Sequence, residues 1–419
     1  FDKNPITKSN GLSNGVASFY NGDIDFNLKN YYLKYDFAFP FKKIDFSLNT
    51  GGKFNTIQVH DKGIYNLNTN ANSITDFNYK ENNLAFYVEA RKKIKKFNFT
   101  VGVRFEDYKV DRTAFENGVR TDVNFTNTNF FPNASAMYEF NQNMNLTASY
   151  SKKIQQADYN VLDPNNFANF DQYNTSNGNP FLDPTFYDNF ELKLTAFQYV
   201  QLGGNYTIAN DVNKFIFDAK PNELVSNQTF KQFDKINTFS LYASFPIPLD
   251  YFLKGKAEFE KRMNDMDTMN YIFFNINYID FDTKGYDFQF KPKPIMSYTA
   301  TAQFILPWKI KNTMMYNLTP PGTWEIYNLN KTIHQFDLSF NRDFMNKNLK
   351  IGLHCFDVFN TNEINALVSS TNLQTQFRQK QDSRTFRISL TYNFGNLKLE
   401  KENTEIRTEK VGQGGGILK

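Results

Sequence analysis

Phe97, Phe99, Val101, Val103 and Phe105 fall on one parity of an unbroken stretch, and Asn98, Thr100, Gly102, Arg104 and Glu106 fall on the other. Side chains of an extended chain point alternately to two faces, so this stretch reads as a strand with one apolar and one polar side. The pattern returns at Phe190, Leu192, Leu194 and Ala196 against Asn189, Glu191, Lys193 and Thr195. Near the C-terminus Phe386, Ile388, Leu390, Tyr392 and Phe394 oppose Arg387, Ser389, Thr391 and Asn393. A chain with 46 Phe and 24 Tyr has a mean hydropathy of -0.57 only because its apolar residues are interleaved with polar ones. No helical stripe competes, and the fold class is all-β.

Strand length narrows the choice further. Nine residues at roughly 3.3 Å each, tilted about 40°, rise roughly 23 Å, close to the ~25 Å apolar band of an outer-membrane barrel. Strands of soluble proteins usually stop at about 5–6 residues. No stretch of 18 residues stays apolar, so a spanning helix is not expected, but a spanning strand needs only about 9–11 alternating residues. Tight turns are expected at Phe41-Lys42-Lys43, Lys93-Ile94-Lys95, Asn141-Gln142-Asn143, Gln198-Tyr199, Ile247-Pro248-Leu249, Pro307-Trp308 and Asn346-Lys347. Long polar connections lie between them, roughly at 107–127, 157–185, 212–226, 319–331 and 359–382. Long and short in alternation put all long loops at one end, as in a large antiparallel transmembrane β-barrel with long extracellular loops and short periplasmic turns. The pattern counts to about 17–18 strands, with residues 16–40 holding either one strand or a hairpin. Residues 1–30 are read as a loop running into the first strand, 31–395 as the barrel, and 396–419 as a flexible periplasmic tail. Phe1-Asp2-Lys3-Asn4 carries neither an initiator Met nor an apolar leader, which fits a mature or truncated product.

Chemistry is sparse by comparison. The 47 Lys+Arg against 43 Asp+Glu leave +4, without the electrostatic footprint of a nucleic-acid binder. One Cys excludes a disulfide framework and a cysteine-built zinc site. Nucleophile-elbow, phosphate-loop, HExxH and GxGxxG patterns are all missing, so no catalytic residue, metal or cofactor is expected. His354 and Cys355 are neighbours on a strand and point to opposite faces, which prevents chelation. Cys355 shares the parity of Ile351 and Leu353, the lipid side. His334 shares that of Phe336, Leu338 and Phe340 and is expected at headgroup level. The run Lys92-Lys93-Ile94-Lys95-Lys96 fits an anionic-surface patch or a solvated turn, and the small net charge favours the turn. Tyr31, Tyr32, Tyr138, Tyr251 and Trp308 are expected in an interfacial girdle.

Two consecutive stretches, SYSKKIQQADYNVLDP (Ser149 to Pro164) and NGNPFLDPTFYDNFEL (Asn177 to Leu192), resemble the mid-barrel signature of TonB-dependent receptors of the Bacteroidota outer-membrane β-barrel type. Gly178, Asn179, Pro180, Leu182, Pro184, Asn189, Phe190, Glu191 and Leu192 carry the match. Ala157, Asp183 and Thr185 depart from the usual Pro, Lys and Glu. FDVFNTN (Phe356 to Asn362) and DSRTFRISLTYNFG (Asp382 to Gly395) are similar to the family's last two strands. The resemblance implies a 22-stranded barrel in the outer membrane, with TonB engaged through an N-terminal plug that this chain does not contain. It also implies outer-membrane lipid around the wall and a surface lipoprotein as a further partner. The strand count falls about four short, so the chain is expected to be the C-terminal portion of a receptor.

Such a receptor would import a scarce solute, a siderophore, glycan, peptide or similar, by loop capture and plug gating. The alternatives are a passive porin-type barrel and a secreted soluble polysaccharide-binding β-protein. Candidate ligand contacts are loop aromatics and amides, Asn166, Phe167, Phe170, Tyr173, Trp324 and Tyr327, because rings stack on a solute while amides direct hydrogen bonds. Packing of the loops on themselves would explain the same residues.

Overall fold

The computed structural model describes residues 20–67, 72–116, 118–164, 174–197, 199–219, 226–262, 266–282, 290–369 and 374–394. Six strands come first, β1 (Tyr20–Phe41), β2 (Phe46–Leu67), β3 (Asn72–Ile94), β4 (Phe97–Glu116), β5 (Val119–Asn141) and β6 (Met144–Gln155). A helical turn α1 (Tyr159–Leu162) and a short strand β7 (Asn174–Ser176) precede β8 (Thr185–Ala196), β9 (Val200–Ala219) and β10 (Ser226–Pro248). Helices α2 (Leu249–Lys254) and α3 (Lys256–Arg262) lead to β11 (Tyr271–Asp282), β12 (Ile295–Leu306) and β13 (Ile310–Thr319). The hairpin β14 (Gly322–Trp324) and β15 (Tyr327–Leu329) is followed by β16 (Ile333–Phe344) and β17 (Leu349–Phe356). A second hairpin, β18 (Glu363–Ser369) and β19 (Gln374–Lys380), precedes β20 (Thr385–Tyr392).

Fifteen strands form one antiparallel path from β1 to β20, with β7 added parallel to β10, while β14, β15, β18 and β19 make a separate four-stranded sheet. Among the described residues the path holds fewer strands than the 17–18 of the pattern count. The expected turn at Ile247-Pro248-Leu249 is instead the start of a helical excursion over α2 and α3, beyond which β11 pairs back on β10 at Pro248↔Tyr271, and Tyr251 sits on α2 rather than in a strand-end girdle. Several expected long loops are also strand. Residues 107–116 and 119–127 are the upper ends of β4 and β5, paired in register to Glu116↔Val119, and 212–219 extend β9. Residues 16–40 hold one strand from Tyr20 onward. Five of the other six expected tight turns stand where the pattern puts them, and Gln198 of the sixth lies outside the described residues.

Each tall strand has two stories. In β4 the apolar parity 97–105 faces outward, and Val101 keeps 61% of its surface exposed. Across the polar pair Glu106-Asp107 the apolar parity switches, and Tyr108 and Val110 turn inward with only 3% exposed. Phe54 precedes Asn55-Thr56 and then Ile57 and Val59 in β2, and in β3 Asn82-Asn83 separates the inward Phe77 and Tyr79 from the outward Leu84 and Phe86. These polar pairs meet at one level, where Asn83 Nδ2 donates to Glu106 Oε1 at 2.6 Å and Thr56 Oγ1 to Asn82 Oδ1 at 3.0 Å. Below that level the outer face is oily and the inner face polar. Above it the order is reversed. No second sheet covers the outward phenylalanines among the described residues.

The inward apolar upper story packs against the connection between β6 and β8, burying Phe77, Tyr79, Tyr108, Leu162 and Leu182 in one cluster. β1 pairs only with β2, and β20 only with β17, among the described residues. The edge-to-edge contact that would close a porin of this size is therefore not among the described pairings.

Candidate functional site

The family-signature residues build the floor of the loop side. Arg112, 2% exposed, reaches from the inner face of β4 and donates through Nη1 to the Leu182 carbonyl at 2.5 Å. Gly178 lies against the carbonyls of Asp163 and Val161, and a Cβ there would come within 2.3 Å and 2.6 Å of them. Asn179 donates from its backbone to Val161 O at 2.8 Å and from Nδ2 to Phe230 O at 2.8 Å. Pro180 continues this turn, and Leu182 and Pro184 are buried. Asn189 accepts from Thr207 Oγ1 at 3.0 Å, and Glu191 from the Tyr242 hydroxyl at 2.8 Å, both on the inner wall. The signature is thus a docking device that folds an extracellular connection into the mouth of the barrel.

Beside it opens a cavity of about 920 Å³. The wall contributes Tyr187, Phe215, Phe217 and Phe230, with Ile279 and Ile295. Trp324 and Tyr327 close it from the β14–β15 hairpin, and Ala366, Val368 and Phe377 from β18 and β19. Three clasps hold the hairpin to the wall. Lys214 Nζ pairs with Glu325 Oε1 at 2.6 Å, the Tyr327 hydroxyl donates to Phe215 O at 3.3 Å, and Trp324 meets Phe281 edge-on at 5.7 Å. Burial and the Glu325 carboxylate push the Tyr327 phenol up to about 12, so it remains a neutral donor at ordinary pH. Asp158, also on the cavity wall, is raised above the usual carboxylate range by burial, against hydrogen bonds from Asn160.

The second inner hairpin is held at both ends by one residue. Asp357, fully buried with a left-handed φ of 45°, accepts from Thr361 N at 2.8 Å and Asn362 N at 3.1 Å before β18. At the end of β19 it accepts from Lys380 Nζ at 3.4 Å, and just beyond the strand from Ser383 Oγ. Burial alone would raise its pKa, but the bonds from Ser383, Thr361, Asn362 and Lys380 outweigh it and hold the carboxyl well below the usual range. A depressed folded pKa gives stability that is complete above the unfolded value of about 3.9 and lost as pH falls through the folded one. Hydrogen exchange at Thr361 and Asn362 should therefore accelerate progressively below about pH 4, and Asp357→Asn should remove that dependence. An unchanged acid profile in the variant would assign the transition to other groups.

Of the residues expected at a ligand site, Trp324 and Tyr327 line the cavity together, whereas Asn166, Phe167, Phe170 and Tyr173 lie outside the described residues. Sequence reading missed Lys214 and Glu325, whose contact spans 111 positions, and placed Phe215 and Phe217 in a polar loop. Cys355 shares the outward register of Leu353, paired to Phe386. His354 faces inward between Ser339 Oγ at 3.0 Å and Ser389 Oγ at 3.1 Å. No group of three or more potential metal ligands occurs among the described residues.

The outer membrane protein beta-barrel family model matches residues 1–392, and the chain belongs to that family. It is an outer-membrane β-barrel protein. Its architecture is similar to the ferric yersiniabactin uptake receptor FyuA from Yersinia pestis, at a TM-score of 0.60 and 12% identity over 90% of this chain and 56% of that one. The unliganded ferric citrate transporter FecA gives 0.59 and 11%, covering 90% and 56%, and the copper transporter OprC gives 0.58 and 11%, covering 90% and 61%. At these identities the likeness is one of fold. The chain spans little more than half the length of the first two structures. No curated protein matches it in sequence.

Proposed function

We propose that this chain is barrel wall and loop machinery of a TonB-dependent uptake receptor, and that its solute lodges an apolar group in the 920 Å³ cavity above the membrane level. The cavity carries the reading. It is lined by rings and branched aliphatics, sits on the loop side, and is roofed by a hairpin that one ion pair and one phenol hold in place. A ring or alkyl portion of the solute would gain burial there, and Lys214 with Glu325 would orient a polar end. No bond is made or broken. Capture shifts the hairpin's equilibrium, and a plug would open under force delivered through TonB. Among the described residues β1 and β20 each keep an open edge, which further strands of the receptor would complete, because an unpaired edge in lipid costs several kcal/mol for each backbone group. A surface lipoprotein would meet the loop side.

Anilinonaphthalene sulfonate, a fused ring with one anion, is a suitable probe. In the Trp308→Phe variant Trp324 is the sole tryptophan of these 419 residues, and the difference between its emission and that of a Trp308→Phe, Trp324→Phe control reports on the cavity. Binding should quench it, and Phe215→Ala should weaken the affinity roughly tenfold through loss of one buried ring. Uptake by the full-length receptor should stop when the proton gradient is collapsed. Persistent uptake would identify a passive pore instead.

A further inference from the structure

We infer that the arc of the tight-turn rim formed by the β1–β2 and β3–β4 turns is a binding site for acidic phospholipid headgroups of the inner leaflet. This rests on reading the chain as an outer-membrane barrel with its tight turns on the periplasmic side. The two turns are neighbours because β2 pairs with β3, and they are tied together where Lys92 Nζ donates to Ile44 O and Lys93 N to Asp45 O at 3.0 Å.

Lys42, Lys43, Arg91, Lys92, Lys93, Lys95 and Lys96 stand here against Asp45, Glu89 and Glu139. Seven cations against three carboxylates give an excess of four, equal to the net charge of all 419 residues. The inward pair Arg91–Glu89 and the pair Lys93–Glu139 are neutralised, at 2.7 Å and 2.9 Å. Among the described residues Lys42, Lys43, Lys95 and Lys96 have no carboxylate within ion-pair distance, and all four are exposed. The next two turns along the rim, at 141–143 and 197–199, carry no cation.

Apolar residues beside the lysines define what it faces. Ile44 and Ile94, 57% and 51% exposed, project from the same turns. Directly above them the outward Phe41 and Phe46 meet at 5.7 Å, and Phe97 packs on Tyr138 at 4.8 Å. Rings at the edge of an oily band with ammonium groups one step beyond form the layering of a bilayer interface. A soluble acidic partner would leave Ile44 and Ile94 in water. A phospholipid satisfies both, with its acyl chains on the rings and its phosphate among the lysines.

The test uses the full-length receptor in mild detergent, offered phosphatidylglycerol or phosphatidylcholine, with retained lipid counted by native mass spectrometry. Phosphatidylglycerol should be retained at least about tenfold over phosphatidylcholine, since each lysine near an anionic surface contributes roughly fivefold. Lys42→Gln, Lys43→Gln, Lys95→Gln and Lys96→Gln together should abolish the preference. Lys152→Gln with Lys153→Gln, at the loop end of β6, should leave it intact. A preference that survives the quadruple variant, or that falls equally in the β6 variant, overturns the assignment. Heat-modifiable migration verifies that each variant is a folded barrel. If the quadruple variant does not fold, the salt dependence of the wild-type preference decides, and a salt-independent preference also overturns it. Solute uptake is not read, so failure of the transport proposal would leave these counts unmoved.

Discussion

Val101→Arg should lower the folding free energy of the full-length protein in phospholipid vesicles by about 2–4 kcal/mol, while Thr100→Arg should be close to neutral. Val101 is the centre of the outward parity 97–105, with 61% of its surface open to the surroundings. Its cross-strand neighbours are Ala90 and Ala134, which offer an arginine neither a hydrogen-bond partner nor a side chain to lie against. The guanidinium would have to reach the headgroups from mid-bilayer, and the cost is the desolvation that remains after it stretches. Thr100 points to the polar inner face one residue away. Urea titrations of the two variants in vesicles measure the difference. Equal penalties would show that the two faces see the same surroundings, and the membrane reading of the wall would fail.

Leu182→Ala should undock the β6–β8 connection at a cost of about 2–5 kcal/mol, leaving the wall itself folded. Leu182 is 1% exposed and sits among Tyr108, Val110 and Leu162, so truncation leaves a void that the paired wall strands cannot collapse to fill. Gly178→Ala should act on the same element by a different route. The new methyl would meet two carbonyl oxygens, and backbone cannot step aside as a flexible side chain could. Hydrogen exchange should show faster exchange at Val161 and Gly178 in both variants, with heat-modifiable migration retained. Unchanged protection would mean that the connection is held from elsewhere.

The lower story of the wall was legible because a bilayer acts on every second residue, and Phe97 to Phe105 record it without interruption. The loop side was legible in position but not in form. Its strands alternate as cleanly as the membrane portion, yet Phe77, Tyr79, Tyr108 and Val110 are on the opposite parity to Phe86 and Phe105. Alternation reveals that two faces differ, not which face is wet. A signal did exist, in the polar pairs Asn55-Thr56, Asn82-Asn83 and Glu106-Asp107, where the apolar parity switches. The helices at 249–262 escaped notice because Pro246 and Pro248 read as turn punctuation, although the tail of the excursion is fixed by Asp250, fully buried and bonded to Asn270 Nδ2 at 2.6 Å. The cavity's two halves were half legible. Trp324 and Tyr327 stood out as rings in a polar segment, but the pairing of Lys214 with Glu325 is tertiary and leaves no local trace.

The switch of apolar parity at one level also acts as a plumb line. Raising the wall by one pleat would lift Phe105 and Phe54 out of hydrocarbon, and lowering it would drag Asp107 and Thr56 in. Sliding β4 along β3 would pull Glu106 away from Asn83 and leave the buried Asn83 amide without its acceptor. Elevation and shear are therefore set by the same six residues, so a nascent wall that has found its pairing has found its altitude as well.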